Sequence, residues 1–276
     1  MADAMKANLF LLVLLCLLAS SSFADATPFD DASAAYERGD YAQALKLFRQ
    51  LAAQGHQWAQ RRLGSIYAEG KGVPQDDEEA VKWYRLAAAQ GNTPAQFSLG
   101  QAYEKGRGVP QDYEEAVKWY RLAATREDEW AQTRLGALYA EGKGVPQDFN
   151  ESVKWYRLAA AQGYPPAEAS LGLAYAQGQG VPQDYREAAK WYRLAAAQGN
   201  PSAQASLGLM YANGAGVPRD IVRAHMWLTL AAMSSGDSGT ARNDRERIAA
   251  EMTAGQIAAA NQMARRCQDS KFKSCD

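Results

Sequence analysis

Side chains that do chemistry are scarce in this chain. It carries two histidines, His56 and His225, and three cysteines in 276 residues. The histidines lie near opposite ends, neither has a partner nearby in sequence, and no His or Cys cluster has metal-ligand spacing. No catalytic residue, metal or cofactor is therefore expected. An excess of charge of one sign is missing too: 30 Lys plus Arg face 31 Asp plus Glu. That balance removes the electrostatic case for binding nucleic acid.

Long apolar runs are also absent, with one exception at the front. Residues 9–18 (LFLLVLLCLL) follow Lys6 and precede Ser22, Phe23 and Ala24, which reads as a secretory signal peptide over 1–24. The run is too short to cross a bilayer, which takes about 20 apolar residues. After cleavage the chain is expected to be periplasmic or secreted and not membrane-spanning; an uncleaved anchor is the alternative. A lipoprotein signal does not fit, because Cys16 lies inside the run and follows Leu15.

Losing Cys16 leaves Cys267 and Cys275, an even count in a compartment where disulfides persist. Eight residues along a continuous helix separate Cα atoms by about 12 Å, whereas bridged ones lie within about 7 Å. A bridge therefore requires the helix to end between them, for which Gln268, Asp269 and Ser270 are available; two unpaired thiols are the alternative.

What the chain has in abundance is repetition. GKGVPQD from Gly70 recurs with small changes from Gly106, Gly142, Gly178 and Gly214, always 36 residues on. A fixed period of that size marks stacked supersecondary units. In residues 93–128, Ala95, Leu99, Ala102 and Tyr103 fall on one helical face, giving a helix A. Gly106 suits the left-handed position past its end, and Pro110 forbids continuation. Asp112 with Glu115 then offers a cap from both directions for a helix B, YEEAVKWYRLAA, whose apolar residues cover most of its circumference. Such a helix needs cover from its own helix A and from the next, which gives a right-handed stack of hairpins. Gly64, Gly100, Gly136, Gly172 and Gly208 sit inside helix A, where close approach of a neighbour would offset their cost of about 1 kcal/mol. A phosphate-binding role for the loop is excluded, since an aspartate already occupies the helix start and no GKS or GKT follows a strand.

The pattern A-x-x-x-L-G-x-x-Y-x-x-G-x-G-V-P-Q-D-x-x-x-A-x-x-W-Y-x-x-A-A resembles the Sel1-like repeat family, relatives of the tetratricopeptide repeats. The resemblance implies an all-α fold, an α/α solenoid of antiparallel helix hairpins forming a superhelix. Five copies are read at 57–92, 93–128, 129–164, 165–200 and 201–236. Residues 25–56 resemble a degenerate tetratricopeptide-like hairpin, and 237–276 read as a helical cap that contains a Thr253–Gln256 capping box. The family implies a scaffold or adaptor with a protein or peptide partner, in envelope assembly or signalling, and no chemistry of its own. Some exported, cysteine-rich members bind or cleave β-lactams and carry C-x7-C pairs; here that spacing is found at Cys267 and Cys275. A β-lactam- or peptidoglycan-acting hydrolase is the alternative, with Ser270 and Lys273 forming an S-x-x-K match.

Helix A supplies the positions that stacking leaves free. If its outer side lines a concave face, that face presents Arg61 and Arg62, then Phe97 and Gln101, then Arg134, then Leu173 and Leu209, passing from charged to apolar. Phe97, Leu173 and Leu209 are the expected anchors. The Trp–Tyr pairs of helix B are assigned to the core, and its Lys and Arg residues to a solvated stripe partly matched by Glu78 and Glu114. At 126–130, ArgGluAspGluTrp replaces the usual glycine turn, which predicts a remodelled turn or an acidic knob.

Overall fold

A computed structural model describes residues 27–233, 239–272 and 275. The signal segment and Lys273 lie outside these residues. The described residues form fourteen helices and no strand: α1 (Pro28–Glu37), α2 (Tyr41–Ala53), α3 (Gln57–Glu69), α4 (Asp77–Ala89), α5 (Thr93–Lys105), α6 (Tyr113–Ala124), α7 (Glu129–Glu141), α8 (Phe149–Ala161), α9 (Pro165–Gln177), α10 (Tyr185–Ala196), α11 (Pro201–Asn213), α12 (Ile221–Ala232), α13 (Thr240–Ala249) and α14 (Ala254–Asp269). Odd-numbered helices through α11 are A helices and even-numbered ones through α12 are B helices; the fold is an all-α solenoid of helix hairpins. Two compact units divide it, one ending at Ala95 and the other beginning at Gln96.

Within the first unit α1 packs on α2, α2 on α3 and α3 on α4. Ala35, Ala44, Phe48, Leu63 and Ile66 form its core, with Trp83 laid against it. Within the second unit α6 packs on α7, α7 on α8, and the alternation continues to α12, which is covered by α13 and α14. α2, α8 and α10 thus have an A helix on each side, as their apolar circumference requires. The assigned core aromatics are where packing predicts: Tyr84, Tyr120, Tyr156 and Tyr192 are buried, while Trp155 and Trp191 are half-buried against neighbouring cores. Leu86, Leu122, Leu158 and Leu194 are the exception to full burial, each about half exposed.

The glycine inside helix A is explained by a ring. A methyl group added at Gly172 would lie 2.7 Å from Cδ1 of Tyr192, and one at Gly136 would lie 2.8 Å from Cδ1 of Tyr156. In the last repeat Leu228 replaces the tyrosine and approaches Gly208.

The loop between helices A and B is a hydrogen-bonded clasp. Gly70, Gly142, Gly178 and Gly214 end helix A in the left-handed conformation. Gln111, Gln147 and Gln183 donate from Nε2 to the carbonyls of Glu104, Ala140 and Ala176 at 2.7–2.8 Å, giving donors to otherwise orphaned helix-end acceptors. Asp76, Asp112 and Asp148 accept at Oδ1 from the amides of Glu79, Glu115 and Glu151. The reciprocal half of the expected capping box does not form. The aspartate amide is already bonded to the carbonyl of Tyr67, Tyr103 or Tyr139, at 2.9–3.0 Å, so Glu79, Glu115 and Glu151 turn instead to Lys82, Lys118 and Lys154. The capping box at Thr253 and Gln256 is complete.

The basic stripe of helix B is exposed to solvent as expected; Glu78 and Glu114 add favourable charge beside Lys82 and Lys118 but are not their hydrogen-bond partners. Its lysines pair with the glutamates three residues before them. Arg49, Arg121, Arg157 and Arg193 donate to the hydroxyls of Tyr67, Tyr139, Tyr175 and Tyr211, each 18 residues on. The turn at 126–130 is not remodelled either. Glu127 takes the left-handed conformation itself (φ 64°), as Gly91, Gly163 and Gly199 do at the matching positions, and its side chain is exposed.

α14 ends at Asp269, between the two cysteines. Cys267 and Cys275 stand at disulfide distance with Cα atoms 4.5 Å apart, and both are buried.

Candidate functional site

Subtracting the stacking residues leaves the outer sides of the A helices. In the first unit α3 presents Arg61 and Arg62. Arg62 lies over the Tyr36 ring, 5.5 Å from its centroid. Arg61 is half-buried; burial, with Arg62 adding to it, draws its pKa below the usual guanidinium value, and its Nε has no hydrogen-bond partner.

In the second unit Phe97 of α5 is half-buried. Its ring centroid lies 5.5 Å from that of Tyr120 and 6.4 Å from that of Trp130. Trp130, in the first turn of α7, continues to Tyr164 at 5.0 Å. Arg134 is held by Glu104, its Nε 3.3 Å from Oε2, and the Tyr120 hydroxyl donates to the same oxygen at 2.6 Å. Burial raises the Tyr120 pKa, which keeps that hydroxyl a donor. Matching positions hold Ala140, Ala176 and Ala212 in place of Glu104, so this ion pair belongs to one repeat junction.

Farther along, Leu173 of α9 is 47% exposed. It lines a cleft of about 280 Å³ with Pro166, Ala169, Ser170, Tyr192, Asn200, Ser202 and Ser206. Ser170 donates to the Pro166 carbonyl at 2.9 Å, and Tyr192 is hydrogen-bonded to Ser206. These hydroxyls have no adjacent base, so the cleft offers apolar contact and hydrogen bonds. Leu209 and Gln101 are half-buried on the same sides of α11 and α5. Sequence reasoning named Leu173 with Ser170 and Ser206 on the outer side of helix A, and passed over Ser202, Asn200 and Tyr164 around these features. Trp130, standing where Pro94, Pro166 and Ser202 stand in three other copies and shared only with Trp58, is the signal that finds the aromatic row.

The remaining candidates have structural surroundings. His56 is the N-cap of α3: its Nδ1 accepts from the Ala59 amide at 3.3 Å and its ring stacks on Phe29. His225 is buried in α12 beside Thr229, its pKa lowered by burial and by Arg245. Ser270 donates its hydroxyl to the Cys267 carbonyl at 2.8 Å. Among the described residues no group of three or more His, Cys, Asp or Glu side chains could hold a metal ion. No described helix is long and apolar enough to cross a membrane.

The Sel1 repeat profile matches residues 33–56, 59–92, 93–128, 131–164, 165–200 and 201–235. The chain belongs to the Sel1 repeat family. The stretch read from sequence as a degenerate tetratricopeptide-like hairpin is matched by the same profile. A Sel1 repeat protein from Oxalobacter formigenes is similar, with 34% identity, a TM-score of 0.73, and coverage of 86% of this chain and 98% of that one. A protective antigen of uropathogenic Escherichia coli strains, displaying an SLR fold, has 36% identity and a TM-score of 0.79 over 85% of this chain. This chain spans 50% of that antigen's length. No curated protein matches. Sel1 repeat proteins are in general non-catalytic scaffolds that bind other proteins.

Proposed function

We propose that this Sel1 repeat protein is an exported, non-catalytic scaffold that holds a protein or peptide segment along its A-helix face, in cell-envelope assembly or signalling. That face is the concave side expected of the hairpin stack. The carrying observation is the division of labour within the repeat. Recurrent residues are consumed by stacking, capping and the Arg–Tyr and Glu–Lys pairs, whereas the outer A-helix positions differ from copy to copy. Arg61, Phe97, Thr133, Ala169 and Ala205 share one such position; Ser65, Gln101, Ala137, Leu173 and Leu209 share another. Half-exposed Leu173 at the edge of a cleft supplies an apolar anchor of the kind that dominates interface energetics. Export rests on the apolar run at 9–18 and the cut after Ala24, so the exported chain should begin at Asp25, a mass readable on material from the envelope fraction.

The test is binding. Peptides selected against the immobilised chain from a random display library should lose about tenfold or more in affinity on Leu173→Glu, with the helical circular dichroism unchanged. Retention of full affinity by Leu173→Glu removes this reading.

A further inference from the structure

We infer that the aromatic row Phe97–Trp130–Tyr164 is the part of this face that receives a basic side chain, an arginine or lysine of the bound peptide. The inference rests on the A-helix face being a peptide-binding surface, and it adds the chemistry of the partner.

Three observations converge on it. The first is exposure without a packing need. Trp130 is 54% exposed; its counterparts are Trp58, itself 46% exposed, and Pro94, Pro166 and Ser202, so the hairpin stack accepts proline or serine there and does not call for an indole. The rings of Phe97 and Tyr164 flank it at 6.4 Å and 5.0 Å, holding the indole in place.

The second is charge. Residues 126–130 bring three carboxylates, Glu127, Asp128 and Glu129, against one cation, Arg126. Glu127 projects from a turn position that is glycine in the neighbouring copies. The Asp128 side chain accepts from the Ala131 amide at 2.7 Å, and burial together with the charge of Glu129 raises its pKa. The Tyr164 pKa is raised by burial and by the same two acids, which places their charge beside the ring row. Arg134, on the same helix, is bound by Glu104 and does not compensate them.

The third is physical fit. An indole face and a set of carboxylates both attract a cation, and an ammonium or guanidinium over Trp contributes about 0.5–2 kcal/mol, more as water is excluded. A sugar ring would also stack on the indole, but it would gain nothing from the net negative charge around it.

The experiment uses the mature chain and random dodecapeptides displayed on phage, with the strongest isolate resynthesised and labelled with fluorescein. The expected isolate carries Arg or Lys. Its citrulline or norleucine analogue should bind about tenfold more weakly to the parent chain, and Trp130→Ala and the pair E127Q/E129Q should each weaken the parent peptide similarly. Raising salt from about 50 to about 500 mM should weaken the parent peptide and leave the neutral analogue unchanged. Isolates that lack a basic residue, or that ignore Trp130→Ala while responding to Leu173→Glu, overturn this inference and leave the groove reading intact. Isolates indifferent to all these changes, or no isolate above background, overturn both. Saturable binding of chitotriose, lost in Trp130→Ala and competing with the peptide, overturns the cationic assignment in favour of a sugar.

Discussion

Single residues that break the repeat show what the repeat is for. Gln60, Gln132 and Gln204 are buried and donate to the carbonyls of Ala52, Ala124 and Ala196 at 3.0–3.2 Å. Gln60 and Gln132 also accept from Gln90 and Gln162. Glu168 stands in this series, buried, and accepts from Gln198 at 2.9 Å. Ionised, it has no hydrogen for the matching carbonyl of Ala160, and burial raises its pKa. A raised folded-state pKa makes its contribution complete below the ordinary carboxylate range and lost as pH climbs through the raised value. Glu168→Gln is therefore expected to stabilise the chain by about 1–2 kcal/mol at neutral pH, and the gain should vanish in acid, as read by urea denaturation at several pH values. Glu127 supplies a second case. Glu127→Gly relieves a left-handed non-glycine residue and should add about 1 kcal/mol in the same measurement. That glutamate was visible as an anomaly in the sequence, but the conformation it adopts was not: composition alone does not say whether a turn yields or a side chain bears the strain.

At the level of helices, the periodic spacing of Leu99, Ala102 and their counterparts, together with the Gly–Val–Pro stop, was enough to draw the A and B helices of the five full repeats; the first hairpin, which lacks that stop, was legible only as a degenerate copy. Where the second hydrogen bond of each capping aspartate goes was not readable, because it depends on the tyrosine carbonyl of the preceding helix and that contact exists only after the chain has turned. The buried tyrosine ring gives the helix-interior glycine a definite test. In an isolated helix Gly→Ala would gain about 1 kcal/mol. Here the added methyl meets the Tyr192 ring at 2.7 Å, and overpacking costs about 1–3 kcal/mol. Gly172→Ala should lower the denaturation midpoint, and the added change Tyr192→Leu should recover part of the loss. Leu228, opposite Gly208, shows that the site accepts a leucine. The aromatic row was harder to foresee, since Phe97, Trp130 and Tyr164 occupy different positions of the 36-residue unit and meet through the stacking of successive repeats.

For the molecule as a whole, charge is distributed so that little of it acts at a distance. Net charge is −1, and the lysines of the B helices are paired within their own helix at solvent-exposed sites, where such pairs contribute about 0–1 kcal/mol each. Stability should therefore change by less than about 1 kcal/mol between low and high salt, and the chain should pass through a heparin column without retention at near-physiological ionic strength. Strong retention would contradict the charge balance read from the sequence.

In four A helices the tyrosine, Tyr67, Tyr139, Tyr175 or Tyr211, joins its hydroxyl to an arginine 18 positions earlier and its carbonyl to an aspartate nine positions later, as at Tyr139 with Arg121 and Asp148. Bonds defined by such fixed offsets do not care how many units precede or follow them. Excising or duplicating one 36-residue cassette away from the Glu104–Arg134 junction would leave each of these arginines and aspartates with its tyrosine, so the length of this protein is adjustable in whole steps, and a genome can lengthen or shorten it by recombination while keeping the repeating contacts.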